Sequence, residues 1–355
     1  MTARLISSGP HTHSMFTVSR TMMAVMVCLS PATAYGLYQF GLPAAFLFAV
    51  TLVSALGFEI LCLALADRPV RRFATDGSAL LTGWLVAMSL PPWAPWWIGV
   101  IGAGTAIVLG KHVFGGLGQN LFNPAMVARA VLLVALPVQM TTWVAPLGHD
   151  GPGLQQALAI TFGAAPAFDA VSSASLLGDV QSLLDAGQTL EPLNTSAALL
   201  HDQFFGGVPG SLGETSAFLL LIGGICLVLL RIITPVVPLT VLGSLALLSG
   251  VAYLLDPAHF PAPLLHLSTG ATMLCAFFIA TDYVTAPVTA LGKAIYGIGI
   301  GSFIFIIRTW GAFPEGVAFA VLLMNACAPL IDTWCRPRIF GRTRAGAPLE
   351  LKDKP

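Results

Sequence analysis

The chain has 355 residues, 56% of them hydrophobic and 9% charged, and its sixteen basic and sixteen acidic residues cancel. A soluble domain carries about 25% charged residues, so this composition excludes an ordinary soluble domain and describes a chain solvated by lipid. The balanced net charge gives no argument for nucleic acid as a partner.

Residues 1–21 are polar and run straight into a long apolar stretch, which reads as a first anchor helix and not as a cleavable signal. His11 and His13 in this terminal segment are too sparse for a metal site. Apolar runs of spanning length then fall near 22–39, 43–65, 96–110, 216–235, 238–255, 291–309 and 315–332. Three shorter ones, 78–90, 124–137 and 271–281, lie near or below the roughly 17-residue minimum for a simple span. Each is bordered by Gly, Pro or Asn, the pattern of broken membrane helices around a mid-membrane binding site. The aromatic run PPWAPWW (91–97) reads as an interfacial belt. The six cysteines are scattered without a C-x-x-C pair, and a core or lipid-facing role is expected for them.

Charge placement orients this layout. The stretch 138–215 holds seven acidic residues and no Lys or Arg, which places it outside by the positive-inside rule. Arg68, Arg71 and Arg72 follow the second run, Lys111 the fourth, Arg231 the sixth and Lys293 the eighth, and six bases crowd the C-terminal tail. Ten spans with both termini cytoplasmic put all of these basic groups on one side. The expected fold is therefore all-α and polytopic, with about ten transmembrane helices in a bacterial inner membrane. Its expected divisions are a cytoplasmic segment 1–21, a first membrane half 22–137, an external loop 138–215, a second membrane half 216–334 and a cytoplasmic tail 335–355.

The two halves resemble each other. GSALLTGWLVAMS (77–89) aligns with GATMLCAFFIATD (270–282), and PAMVARAVLL (124–133) matches PEGVAFAVLL (314–323) at seven of ten positions. Five spans separate the copies, so the second copy is inverted, and the functional site is expected at their interface.

Chemistry concentrates in GGLGQNLFNPAM (115–126). Its glycines, Gly118 among them, permit close backbone approach, Asn120 and Asn123 supply amides, and Pro124 opens a helix whose first N–H groups can face a polar ligand. Arg129, one turn further, suits an anionic ligand or a paired carboxylate. Asp76 and Asp282 stand at the cytoplasmic ends of the two short repeat segments and are candidates for an ion or quinone path. Glu59, Arg308 and Asp332 are expected to snorkel to the interface.

Taken in order, PHTHS, DGSALLTGWLVAMSLPPWAPWW, GGLGQNLFNPAM, PVQMTTW, LSTGATMLCAFFIATD, FPEGVAFAVLLMNACAPLID and RPRIFG span nearly the whole chain. This series resembles the D subunits of the Rnf complex and, more distantly, the B subunits of sodium-pumping NADH:quinone reductases. The resemblance implies ten spans with an inverted repeat like that of urea transporters. It also implies a covalent FMN, joined by a phosphoester to a Thr hydroxyl on the outer side, and often a non-covalent riboflavin. The implied function is electron relay within a complex that couples electron flow between reduced ferredoxin and NAD to Na⁺ or H⁺ movement. Contact with ferredoxin and NAD then runs through partner subunits, and membrane lipid surrounds the chain. The family's attachment motif runs Asp, two residues, Ser, any residue, Ala, Thr. Here the corresponding place reads DAVSSAS, with Asp169, Ser172 and an acceptor hydroxyl on Ser175. Thr269-Gly270-Ala271-Thr272 spells the end of the motif more literally, but His266 stands where the Asp belongs, so Thr272 is the alternative acceptor. Two rival classes remain at this stage, a urea-transporter-like solute or ion channel and a non-redox scaffold subunit.

Overall fold

The computed structural model describes residues 17–147, 151–163, 172–173, 175–190, 196–311, 313, 315–337 and 341. The described chain is mostly helical, and its one strand pairing is a short antiparallel ladder. The first helix, α1 (Val18–Leu65), is 48 residues long, capped by the Thr17 hydroxyl and broken at Gly41. Gly41 has φ 72°, a left-handed conformation that costs Gly least, and Pro43 follows at once. The sequence places a boundary between two apolar runs at this point.

After the short α2 (Val70–Ala74) comes α3 (Ser78–Ser89), whose 12 residues cover about 18 Å, well short of a bilayer's roughly 30 Å core. Next, α4 (Trp96–Gly104) runs into a π-helical stretch, Thr105–His112, a rare conformation that clusters at functional sites. The 12-residue α5 (Pro124–Ala135) and the short α6 (Pro137–Thr141) complete the first half.

The connecting segment folds over one end of the bundle. It contributes α7 (Leu154–Phe162), α8 (Leu176–Asp185) and α9 (Ala197–Phe205), with Trp143 paired to Ser173 and Val144 to Ser172. It is pinned there by Leu147 N–H to Gln39 O (3.0 Å), Leu190 N–H to Ala258 O (2.8 Å) and the Gln181 amide to Gly311 O (3.0 Å). A 3₁₀ turn, Leu212–Glu214, leads into α10 (Ala217–Leu229), and α11 (Val236–Leu255) follows. The second short segment is α12 (Pro263–Ser268), then α13 (Thr272–Leu274) running into a second π-helical piece, Cys275–Ile279. α14 (Ala290–Trp310) and α15 (Val317–Trp334) end the described chain's helices.

Among the described residues, α1, α11, α14 and α15 are long and apolar enough to cross a membrane, and α3, α5 and α10 are shorter apolar helices. Leu239, Leu247, Val251, Leu254 and Leu255 of α11 all face outward, a surface that water would penalise and lipid accepts. The chain is a membrane protein. Small residues let its helices approach closely. A Cβ at Gly223 would lie 2.3 Å from Cys28 O, and one at Gly297 would lie 2.0 Å from Thr240 Oγ1. Of the aromatic run, Trp96 is exposed, but Trp93 is buried with its Nε1–H donating to Phe40 O (3.0 Å). Trp93 is therefore a core residue and no part of an interfacial belt, because the break at Gly41 frees the Phe40 carbonyl for it.

Candidate functional site

A cavity of about 100 Å³ lies between the two halves of the chain. Ser78, Leu85, Lys111, Asn120 and Asn123 line it from the first half, and Phe277, Phe278 and Asp282 from the second. Asn123 is fixed by its own helix: its Oδ1 accepts from Ala125 N–H (3.1 Å) and Met126 N–H (3.3 Å), which caps α5. Its Nδ2 donates across to Ile279 O (3.4 Å), the end of the second π-helical piece. Asn120 turns its amide onto Phe122 O (3.1 Å), and Asp282 accepts from Val284 N–H (3.3 Å) and Thr285 Oγ1 (3.1 Å). Gly118 has φ +87° with open space where a Cβ would stand, so it serves the turn and does not itself line the cavity. Asp76 borders a second, larger cavity and accepts from Ser78 N–H (2.8 Å) and Ser78 Oγ (2.6 Å), at the head of α3.

Arg129 does not line the cavity between the halves. Its guanidinium instead donates to Ser89 O and to Glu315 Oε2, and Glu214 Oε1 stands 3.6 Å away. Of the two partners its position suits, an anionic ligand or a carboxylate, the fold supplies the carboxylate. Glu315 also accepts from Ala271 N–H (2.6 Å), and Glu214 accepts from Ser211 Oγ (2.7 Å). Arg308 donates to His266 O (2.8 Å), Thr269 O (3.0 Å) and Thr272 Oγ1 (2.8 Å), bridging the break between α12 and α13. Glu59, at 1% exposure, is paired with Lys111 (2.8 Å) and His112 (3.0 Å). Glu59 is therefore buried and ion-paired, Arg308 is buried and hydrogen-bonded to two carbonyls and a hydroxyl, and neither snorkels. Asp332 is half-buried and accepts from Val288 N–H (3.0 Å). Glu214 stands in no motif, and Glu315 lies in the repeat segment PEGVAFAVLL at a position where the first copy has Ala125, so neither is marked by pattern. The signal for them is arithmetic: Arg129 and Arg308 inside a bilayer require acidic partners, and few acids are available.

The two candidate acceptor hydroxyls sit in different surroundings. Ser175 is the N-cap of α8, its Oγ accepting from Gly178 N–H (3.2 Å), and it is half-buried. A helix N-terminus favours an anionic group at this place, so the hydroxyl and its helix fit a phosphoester. Burial raises the Asp179 carboxyl in the first turn above its ordinary range. Thr272, by contrast, is 0% exposed, and its hydroxyl donates to Thr269 O (3.0 Å) and His266 O (3.1 Å) while accepting from Arg308. The backbone of Ser172 pairs with Val144, and Asp169 lies outside the described residues.

The chain is similar to three proteins that are named as D subunits of an ion-translocating oxidoreductase complex. The relative from Rhodobacter capsulatus is 61% identical over 84% of both chains. That from Halorhodospira halophila is 49% identical over 96% of this chain and 97% of its own. That from Stutzerimonas stutzeri is 50% identical over 94% of each. Residues 5–341 match the model of the NQR2, RnfD, RnfE family. With nearly the whole length matched and three such relatives aligned over most of their length, the chain belongs to the NQR2, RnfD, RnfE family.

Proposed function

We propose that this chain is the membrane-embedded D subunit of an ion-translocating oxidoreductase complex and that it holds flavin at two places. FMN is esterified to Ser175, and a non-covalent flavin, riboflavin in the family's pattern, occupies the cavity between the halves. The family membership and the names of the relatives support the complex; the cavity is the observation that carries the second site. Phe277 and Phe278 offer apolar walls to a flat ring, and Asn120, Asn123 and Asp282 offer edge groups that orient it. When bound, the flavin supplies the electron-carrying chemistry. The protein positions it, shields it from water and sets its electrostatics.

The reading includes ten spans arranged as an inverted repeat in an inner membrane, with both termini cytoplasmic and residues 138–215 outside. The break in α1 and the short helices α3 and α12–α13 support it, because two crossings in one 48-residue run and two interrupted segments bring the count to ten. Asp76 and Asp282 then share one end of the bundle, beside the cavity. The partners are the complex's other subunits, which pass electrons between ferredoxin and NAD and move Na⁺ or H⁺. A channel reading is disfavoured by the cavity, whose mostly apolar walls suit a planar ring better than an ion.

Asn123→Leu tests the second site. The variant complex should assemble, keep its covalent flavin and lose most of its extractable riboflavin. Unchanged riboflavin would reduce Asn123 to a helix cap.

A further inference from the structure

Five side chains form one unbroken hydrogen-bonded chain. His112 Nε2 meets Glu59 Oε2 at 3.0 Å, and Glu59 Oε1 accepts from Lys111 Nζ at 2.8 Å. Lys111 Nζ also donates to Ser78 Oγ at 2.8 Å, and Ser78 Oγ donates to Asp76 Oδ1 at 2.6 Å. Glu59 and Lys111 are almost fully buried, with 2% and 3% of their side chains exposed.

The chain joins two cavities. His112, Glu59 and Asp76 line a cavity of about 430 Å³ opened by the exposed Arg68 and Arg72, whereas Lys111 and Ser78 line the cavity between the halves. An ammonium has three donors, and Glu59 and Ser78 take two of those on Lys111. The third is left for the cavity that the residue lines. The wider turn of the π-helical stretch Thr105–His112 allows the consecutive residues Lys111 and His112 both to reach one carboxylate.

Charge arithmetic bears on what moves. Asp76 and Glu59 contribute −2, Lys111 +1, and His112 either 0 or +1, so the chain sums to −1 or to zero. A single proton decides between them, and histidine is the side chain whose ordinary range spans neutral pH. The other charged or titratable groups facing the chain are Arg68 and Arg72 at its outer end, Cys62 beside Glu59, and Asp282 and Tyr283 across the inner cavity.

We infer that His112, Glu59 and Lys111, steadied by Ser78 and Asp76, form a proton relay from the arginine-rich face to the occupant of the inner cavity. The inference rests on the reading of that cavity as a flavin site. Lys111 gives one N–H proton to a basic atom of the occupant, which has gained one electron from a flavin or iron–sulfur donor of a partner subunit. The His112 imidazolium gives its Nε2 proton to Glu59 Oε2, the carboxyl group turns about its Cγ–Cδ bond, and the neutral amine takes that proton, so one N–H bond breaks and one forms. Water in the outer cavity re-protonates His112. One electron and one proton reach the occupant, and the chain recovers its starting charges.

The test uses the whole complex in membranes, with proton uptake on reduction followed by a pH-indicating dye and flavin content measured in parallel. His112→Gln keeps the buried ion pair, so the complex should fold with its flavins intact, while the uptake phase slows about tenfold or more. Added imidazole should restore it, which a merely structural role would not permit. The double variant Glu59→Gln, Lys111→Met removes the charges together, avoids a stranded buried ion, and should abolish that phase. Uptake at the native rate in both variants, with flavin bound, overturns the relay. A native complex lacking non-covalent flavin overturns the reading of the cavity, and the relay falls with it.

Discussion

Replacing Arg129 by Met should cost the protein more than any other single change at its centre. The guanidinium is almost fully buried, donates to the Ser89 carbonyl and to Glu315, and stands 3.6 Å from Glu214. Methionine matches its length but strands two carboxylates away from water. Removing one partner of a buried ion pair costs about 3–5 kcal/mol. The Ser89 carbonyl, at the C-terminal end of α3, loses its donor as well. Thermal unfolding in detergent should therefore fall by about 6–20 °C, at about 2–4 °C per kcal/mol. The pairing makes a sharper claim than the loss. Adding Glu315→Gln removes the charge that Arg129→Met leaves stranded, while the amide oxygen can still accept from Ala271 N–H. The double variant should regain a large part of the stability, with a coupling energy in the range of about 0.5–3 kcal/mol that contacting groups show. Additive losses, or a single-variant loss below about 1 kcal/mol, would refute the idea that these charges are desolvated and mutually dependent.

Topology gives a second check. A cysteine introduced at the exposed Ser182 of α8 should react with an impermeant thiol reagent added from outside intact cells, and labelling only after lysis would reverse the orientation. Close helix packing gives a third. Gly223→Ala places a methyl group 2.3 Å from Cys28 O, so α10 must move away from α1, and the yield of folded complex should drop in line with an overpacking cost of about 1–3 kcal/mol.

The fold was legible where backbone chemistry punctuates the sequence. Asn123-Pro124 opens α5 at Pro124, and Gly77 at φ 84° precedes α3 at Ser78. The apolar runs 43–65, 238–255 and 291–309 match the second part of α1, α11 and α14 to within about two residues at each end. Asn120, Asn123 and Asp282 could be found because they sit in the turns beside the short helical segments, where local sequence marks them. Pairings between distant residues could not. Glu59 and Lys111 lie 52 residues apart and Arg129 and Glu315 lie 186 apart, and only the packed fold brings them together. Arg129 illustrates the limit: its position in the bilayer announces a need for negative charge, while the identity of the acid that meets it depends on how α5, α15 and the turn at Leu212–Glu214 converge. Trp93 escapes the sequence for the same reason, since its partner carbonyl comes from the break in α1.

The central claim is that this chain carries flavin in the membrane, joined to Ser175. The most direct measurement is flavin fluorescence of the denatured protein band, compared among the native chain, Ser175→Ala and Thr272→Ala. The account predicts a fluorescent native band, a dark band for Ser175→Ala at normal membrane insertion, and a band that stays fluorescent for Thr272→Ala. A dark native band, or fluorescence that disappears with Thr272 and survives the loss of Ser175, would contradict it.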